Sequence, residues 1–305
     1  MVLAARMRRF TALVIGLCVL ASAVASGADA ALAAARPARP LIVFLSDFGT
    51  LDDAVAICKG VMLTVAPNAE IIDLTHQVTP YSISEGARLL ARTAVYYPPR
   101  TVFVAVIDPG VGTNRRSIVV KTRRGQFFVL PDNGLVTPLV DRDGLVAARE
   151  IRNPAWLIGG ALSSTFHGRD VFSPVAAHLA RGDDWTKVGP VVAMLTRVES
   201  PQAVVDERGV SGSVVAFDGP YGNLVTNVRG DLLSQLGYAR GDSVHVKVGA
   251  EDLRIPYAAT FGDVPVGTPL VYIDSRGLLS LAINQGDFGR VHGVTPPVEL
   301  VVFRK

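Results

Sequence analysis

The sequence predicts an α/β protein in two parts: an N-terminal α/β domain with a central, mostly parallel sheet, and a smaller C-terminal, mainly β domain resembling a barrel. Three observations predict this. Short apolar runs at 41–45, 71–74 and 102–107 alternate with stretches of helical spacing, the pattern of buried parallel strands covered on both faces. After about Pro190 the pattern changes to short β-rich runs separated by glycine and proline. A chain of 305 residues that is 49% hydrophobic and 19% charged is long enough to bury two cores.

Residues 1–25 read as a secretory signal peptide. Arg6, Arg8 and Arg9 precede an apolar run from Phe10 to about Leu20, and small residues follow, with cleavage expected after Ala23, Ala25 or Ala30. The run is shorter than the roughly 20 residues that span a bilayer, so export to the periplasm or beyond is expected. Cleavage after Ala25 removes three arginines and no acids, and the formal charge of +3 falls to zero. No other stretch concentrates Lys and Arg with interleaved aromatics, which argues against a nucleic-acid partner. Cys18 leaves with the leader, and Cys58 alone cannot form an internal disulfide. Residues 26–40 lack apolar periodicity, end in Pro37-Ala38-Arg39-Pro40, and read as a flexible tether.

The N-terminal domain is expected over 41–190. Its first strand, 41–45, runs into Ser46-Asp47-Phe48-Gly49-Thr50, and 52–66 shows helical spacing through Val55, Ile57 and Leu63. A second strand at 71–74 is followed by a helix at 84–97 with Ser84 as N-cap, then by the third strand at 102–107. Strands at 117–122 and 126–130 and a helix at 170–181 complete it. The β domain, 200–305, is expected to hold strands at 203–205, 212–217, 243–248, 269–273, 278–283 and 298–303.

Ligands of open α/β sheets bind beyond the carboxyl ends of the strands, so polar residues that follow the strand runs are the first candidates. Strand one delivers Asp47, Asp52 and Asp53; strand three delivers Asp108 and the glycine-rich segment through Arg116; Ser163 to Asp170 enters a helix. The Gly110–Thr113 segment leads into a strand rather than a helix and lacks Gly-Lys-Ser/Thr, which disfavours a phosphate cradle. Asp47, Asp52, Asp53 and His76 have the oxygen-rich character of a divalent-cation site. For Asp52 and Asp53 the favoured reading is an acidic first helical turn that suits the helix dipole.

Five segments then form an ordered series: Ser46-Asp47-Phe48-Gly49, Asp73-Leu74-Thr75-His76, the run from Val106 to Arg116, Pro131-Asp132-Asn133-Gly134, and Ser164 to Asp170. With Asp218 to Asn223, Asp274-Ser275-Arg276 and Ala282 to Gly286, the series resembles the S-adenosylmethionine hydroxide adenosyltransferase family, the hydrolytic relative of the S-adenosylmethionine-dependent fluorinase and chlorinase, from about Leu41 to the end. The resemblance implies hydrolysis of S-adenosyl-L-methionine to adenosine and L-methionine without a cofactor or metal. It also implies a homotrimer with its active site at the subunit interface, and a water-activating triad of Asp108, Arg115 and His167. By the same resemblance, Asp47 binds the ribose hydroxyls, Asn223 and the backbone near Gln285 read the adenine, and Tyr221 and Phe261 pack on the base. Asp218, Ser275 and Arg276 hold the methionine amino and carboxylate groups, and Tyr81 lines the pocket.

The halogenating relatives carry neutral hydroxyl or aromatic residues in place of Asp108 and His167, and a halide-binding serine in place of Gly168. A carboxylate beside the nucleophile repels a halide, so water is the expected nucleophile. Three other readings remain: a halogenase, a metal-dependent nucleoside hydrolase built on the acids around Asp47, and a non-catalytic S-adenosylmethionine or adenosine-binding protein. His178, His245 and His292 belong to no motif and read as structural.

Overall fold

The computed structural model describes residues 39–199 and 202–305. The expected leader, and the tether up to residue 38, lie outside the described residues. The described residues form two compact units: one contains 39–80, 93–132 and 143–194, and the other contains 81–92, 133–142, 195–199 and 202–305.

The first unit is built on a six-stranded sheet of β1 (Leu41–Ser46), β2 (Glu70–Thr75), β3 (Val102–Val106), β4 (Ser117–Thr122), β5 (Phe127–Pro131) and β6 (Leu145–Glu150), in the order β2-β1-β3-β5-β4-β6. The pairs β1/β2, β1/β3 and β3/β5 are parallel, while β4 runs antiparallel to β5 and β6. Every residue of β3 and all but the first of β1 are buried, because helices cover the sheet and no side of these strands faces water. Helix α1 (Ala54–Val65) packs on the segment from Gly168 to Arg181, and Cys58, Met62, Phe172 and Val175 join Ile42, Phe44, Val104 and Val129 in one core.

Two helices begin differently from expectation. Helix α2 (Ile83–Ala94) starts one residue before Ser84, which lies inside its first turn; the Ser82 carbonyl accepts from Gly86 N–H. The helix expected at 170–181 opens two residues earlier, as a π turn over Gly168–Phe172 in which Ser173 N–H reaches the Gly168 carbonyl, and continues as a regular helix over Ser173–Arg181.

The second unit is an eight-stranded, almost closed antiparallel sheet. Its path is β11 (Glu251–Pro256), β10 (Ser243–Val248), β14 (Val298–Phe303), β8 (Gly209–Asp218), β9 (Asn223–Arg229), β13 (Leu278–Ile283) and β12 (Pro269–Ile273), with β7 (Val204–Val205) beside β8. A bridge between Tyr257 and Val271 brings the chain after β11 alongside β12, which gives the barrel character. Alternate side chains of its strands, among them Val244, Val246, Val248, Leu279, Leu281, Leu300 and Val302, fill the interior.

Candidate active site

The chain leaves β1 for β2 on one side and returns to β3 on the other, so the strand order reverses between β1 and β3. Such a switch point opens a crevice at the carboxyl ends of the strands. Ser46 and Val106 are register partners there, and Asp47 and Asp108 emerge just beyond them.

Asp108, Arg115 and His167 are brought together. Arg115 Nε lies 2.9 and 3.0 Å from the two Asp108 carboxylate oxygens, and its Nη2 donates to Asp108 Oδ2 at 2.5 Å. The same Nη2 is 2.7 Å from His167 Nδ1, and Nη1 donates to Ser117 Oγ at 2.6 Å. The guanidinium also lies over the Phe172 ring, 5.3 Å from its centroid. Only 10% of the Arg115 side chain and 6% of the Asp108 side chain are exposed, so these contacts form in a low-dielectric setting where they are strong.

Local chemistry explains the placement. The segment after Asp108 folds back through turns in which Val111 N–H donates to the Asp108 carbonyl and Thr113 N–H to the Gly110 carbonyl, returning Arg115 to its carboxylate. Gly112 has φ +77°, and a Cβ there would lie 2.6 Å from the Ser164 carbonyl oxygen. The loop bearing Arg115 therefore meets the segment bearing His167 through bare backbone. On the far side, the fully buried Asp170 accepts from Ser163 N–H at 2.6 Å and from Arg169 Nε at 2.5 Å, which fixes the entry to the π turn.

The contact with Arg115 also fixes the proton on His167. A guanidinium only donates, so Nδ1 accepts and the neutral ring carries its hydrogen on Nε2. Burial and the neighbouring Arg115 charge hold the imidazole pKa below its ordinary value, with Asp108 opposing them more weakly.

The remaining expected site residues lie in the second unit. Asp218 ends β8 opposite Asn223, which begins β9. Asn223 is buried, and its side-chain amide bonds to no described residue. Arg276 Nη1 lies 3.6 Å and Arg92 Nη1 3.8 Å from Asp218 Oδ1. Arg276 and the exposed Ser275 occupy the β12–β13 turn, where Asp274 accepts from the Arg276 and Leu278 backbone N–H groups, the Arg276 guanidinium and Ser280 Oγ. Tyr221 is largely exposed, Phe261 tilts against Tyr272 at 5.1 Å, and Tyr81 and Gln285 adopt φ +67° and +55°. Asp274, Arg92, Ser117 and Phe172 were not found from the sequence; Asp274 alone had a signal, its place beside Ser275 and Arg276.

The acids around Asp47 do not gather as a cation site. His76 directs Nδ1 at Ser46 Oγ (2.7 Å) and Nε2 at Asp73 Oδ1 (3.0 Å), and Asp52 accepts from Ala54 N–H at the start of α1. Among the described residues no group of three or more His, Cys, Asp or Glu is placed to hold a metal. His178, His245 and His292 pair with Asp183, Asp252 and Glu251 and stack on or tilt against Trp156, Phe303 and Phe288, which is a structural use.

Comparison with known proteins follows the same outline. The SAM hydroxide adenosyltransferase N-terminal domain matches residues 42–189 and the corresponding C-terminal domain matches 212–300. The chain belongs to the SAM hydroxide adenosyltransferase family. A family member from Salinispora arenicola named (R)-S-adenosyl-L-methionine hydrolase is 41% identical over 270 residues, covering 86% of this chain and 97% of its own. Another of that name, from Thermus thermophilus, is 39% identical over 268 residues, covering 85% and 99%. A fluorinase from Actinopolyspora mzabensis is 34% identical over 275 residues, covering 81% and 91%. A Thermotoga maritima crystal structure described as an uncharacterized conserved protein superposes with a TM-score of 0.82 at 40% identity, covering 86% of this chain and all of that one.

A Cβ at Gly168 would lie 2.9 Å from Phe48 Cζ and 3.1 Å from Cε2, so a side chain here displaces the Phe48 ring.

Proposed function

We propose that the protein hydrolyses S-adenosyl-L-methionine to adenosine and L-methionine by in-line attack of water on the ribose 5′ carbon. The observation that carries this reading is the buried constellation of Asp108, Arg115 and His167 at the switch point. The sulfur departs as a neutral thioether and needs no general acid, so catalysis falls on the nucleophile. His167 Nε2–H donates to the water and orients it, the Asp108 carboxylate accepts its proton, and Arg115 holds both groups and stabilises developing hydroxide character. The new O–C5′ bond forms as the C5′–S bond breaks, with its electron pair passing to sulfur. Water is favoured over halide because a carboxylate occupies the nucleophile's surroundings and Phe48 fills the space beside Gly168.

Binding roles follow the family pattern: Asp47 for the ribose hydroxyls; Asn223, Tyr221, Phe261 and the backbone near Gln285 for adenine; Asp218, Ser275 and Arg276 for the amino acid; and Tyr81 for the pocket wall. The unspent amide of buried Asn223 supports its role. We also propose that the enzyme works without cofactor or metal, as an exported homotrimer whose active sites lie at subunit interfaces.

The test is turnover in ¹⁸O-labelled water with chloride present. Adenosine should gain the label at its 5′ oxygen, methionine should stay unlabelled, and EDTA should not stop the reaction. Release of adenine, or 5′-chloro-5′-deoxyadenosine as the main product, would overturn the reading.

A further inference from the structure

Two motifs on neighbouring strands, Ser46-Asp47-Phe48-Gly49 at the end of β1 and Asp73-Leu74-Thr75-His76 at the end of β2, have only Asp47 and Phe48 assigned a task. Their side chains form one connected chain of hydrogen bonds. Lys59 Nζ donates to Asp73 Oδ2 at 2.6 Å, and His76 Nε2 lies 3.0 Å from Asp73 Oδ1. The carboxylate only accepts, so Nε2 carries a proton and the other nitrogen of the neutral ring accepts from Ser46 Oγ–H at 2.7 Å. Ser46 Oγ in turn accepts from Phe48 N–H at 3.3 Å, and the His76 carbonyl accepts from Gly49 N–H at 2.7 Å.

The set has the composition of a Ser-His-Asp hydrolytic triad, but its orientation rules that out. Ser46 is fully buried, whereas 43% of the Asp73 side chain is exposed. The hydroxyl that would attack has no access to a substrate.

What the set encloses is Asp47. The residues before it, after it and two after it (Ser46, Phe48 and Gly49) are held directly or through Ser46 by His76, and Asp47 N–H itself reaches the Val106 carbonyl of β3 at 3.4 Å. The ring that does the holding is 5% exposed and packs edge-on against Phe44 at 4.7 Å, so it cannot swing away. A loop left to itself would sample many orientations of its carboxylate, and freezing them on binding costs affinity.

We propose that His76 is a positioning residue for ribose recognition, fixing the 46–49 loop so that Asp47 presents its carboxylate to the ribose diol. The inference rests on the assignment of Asp47 to the ribose hydroxyls. His76 touches no substrate; it acts through Ser46 and the loop backbone.

The test compares binding of adenosine and 2′,3′-dideoxyadenosine by calorimetry to the intact protein and to D47A, H76A and S46A, with melting curves to confirm folding. The ratio of the two affinities reports the diol alone. Adenosine should bind the native protein at least about tenfold more tightly than the dideoxy compound, as expected for hydrogen bonds to a charged group. D47A should remove that preference, and H76A and S46A should each reduce it severalfold while leaving dideoxyadenosine affinity nearly unchanged. S46A loses only a hydroxyl and keeps the test valid if H76A does not fold. If D47A removes the preference but folded S46A or H76A retains it, the positioning role is wrong. If the native protein shows no preference, or D47A leaves it intact, the ribose assignment is wrong and the inference goes with it.

Discussion

Arg115 serves three acceptors with one guanidinium, a division of labour that a lysine cannot copy because its ammonium lacks the planar fork. Each partner is therefore individually removable, with a different consequence. Asp108→Asn or His167→Ala should lower kcat by at least about 100-fold while KM stays within about tenfold, since both act on water rather than on substrate binding. Steady-state kinetics on the two variants checks this. The pH profile follows from the depressed His167 pKa. Protonation puts a hydrogen on Nδ1, directly against the Arg115 donor, and this occurs only below the ordinary value of 6.5. The imidazole is neutral above that point, so kcat/KM should be level with respect to this group as pH rises from 6.5 and fall as pH drops below it. A midpoint for this limb above 6.5 would contradict the assignment.

At the scale of elements, what was legible in the sequence is what an apolar run marks, whether or not the strand is buried: β2 was anticipated although it is an edge strand with no buried residue. Strands β10, β12, β13 and β14 lie where their apolar runs predict, and β1 and β3 do so within a residue, because continuous or alternating apolar side chains are the direct signature of a covered or half-covered strand. Strands β6 (LVAARE), β9 (NLVTNVR) and β11 (EDLRIP) were not anticipated. β6 and β11 are edge strands whose charged residues reflect solvated flanks, whereas β9 is central and mostly buried but its apolar run is broken by Thr226 and Asn227. The triad was legible through its motifs, but its geometry was not: Arg115 and His167 are 52 residues apart and meet because Gly112 lets two backbones touch. Gly112→Ala therefore places a Cβ against the Ser164 carbonyl at positive φ. It should destabilise the protein by about 1–3 kcal/mol, visible as a lower melting temperature, and should reduce kcat as Arg115 and His167 separate.

At the scale of the molecule, the proposed residues divide between two compact units, four in the first and eight in the second. Many in the second, such as Tyr221, Ser275 and Gln285, are exposed in the single chain, as expected of groups that gain partners on assembly or binding. Among the described residues no helix is long and apolar enough to cross a membrane. Native mass spectrometry of the protein from its own cells should show an assembly of three copies, each beginning between Ser22 and Ala31. An intact Met1 would count against export, and a stable monomer with full activity would count against the interface site.

The π turn at Gly168–Phe172 constrains which changes in chain length the family can tolerate. A wide turn of this kind holds one residue more than the regular helix that follows it, so deleting any one of the five returns the segment to ordinary α geometry. Five residues of π geometry and four of α geometry each cover about one turn, so the residues before the deletion keep their face of the helix. His167 would keep facing Arg115, and Val175 and Ala176 on the downstream helix would remain in the core. The wide turn is thus a place where the chain can gain or lose one residue without re-aiming His167.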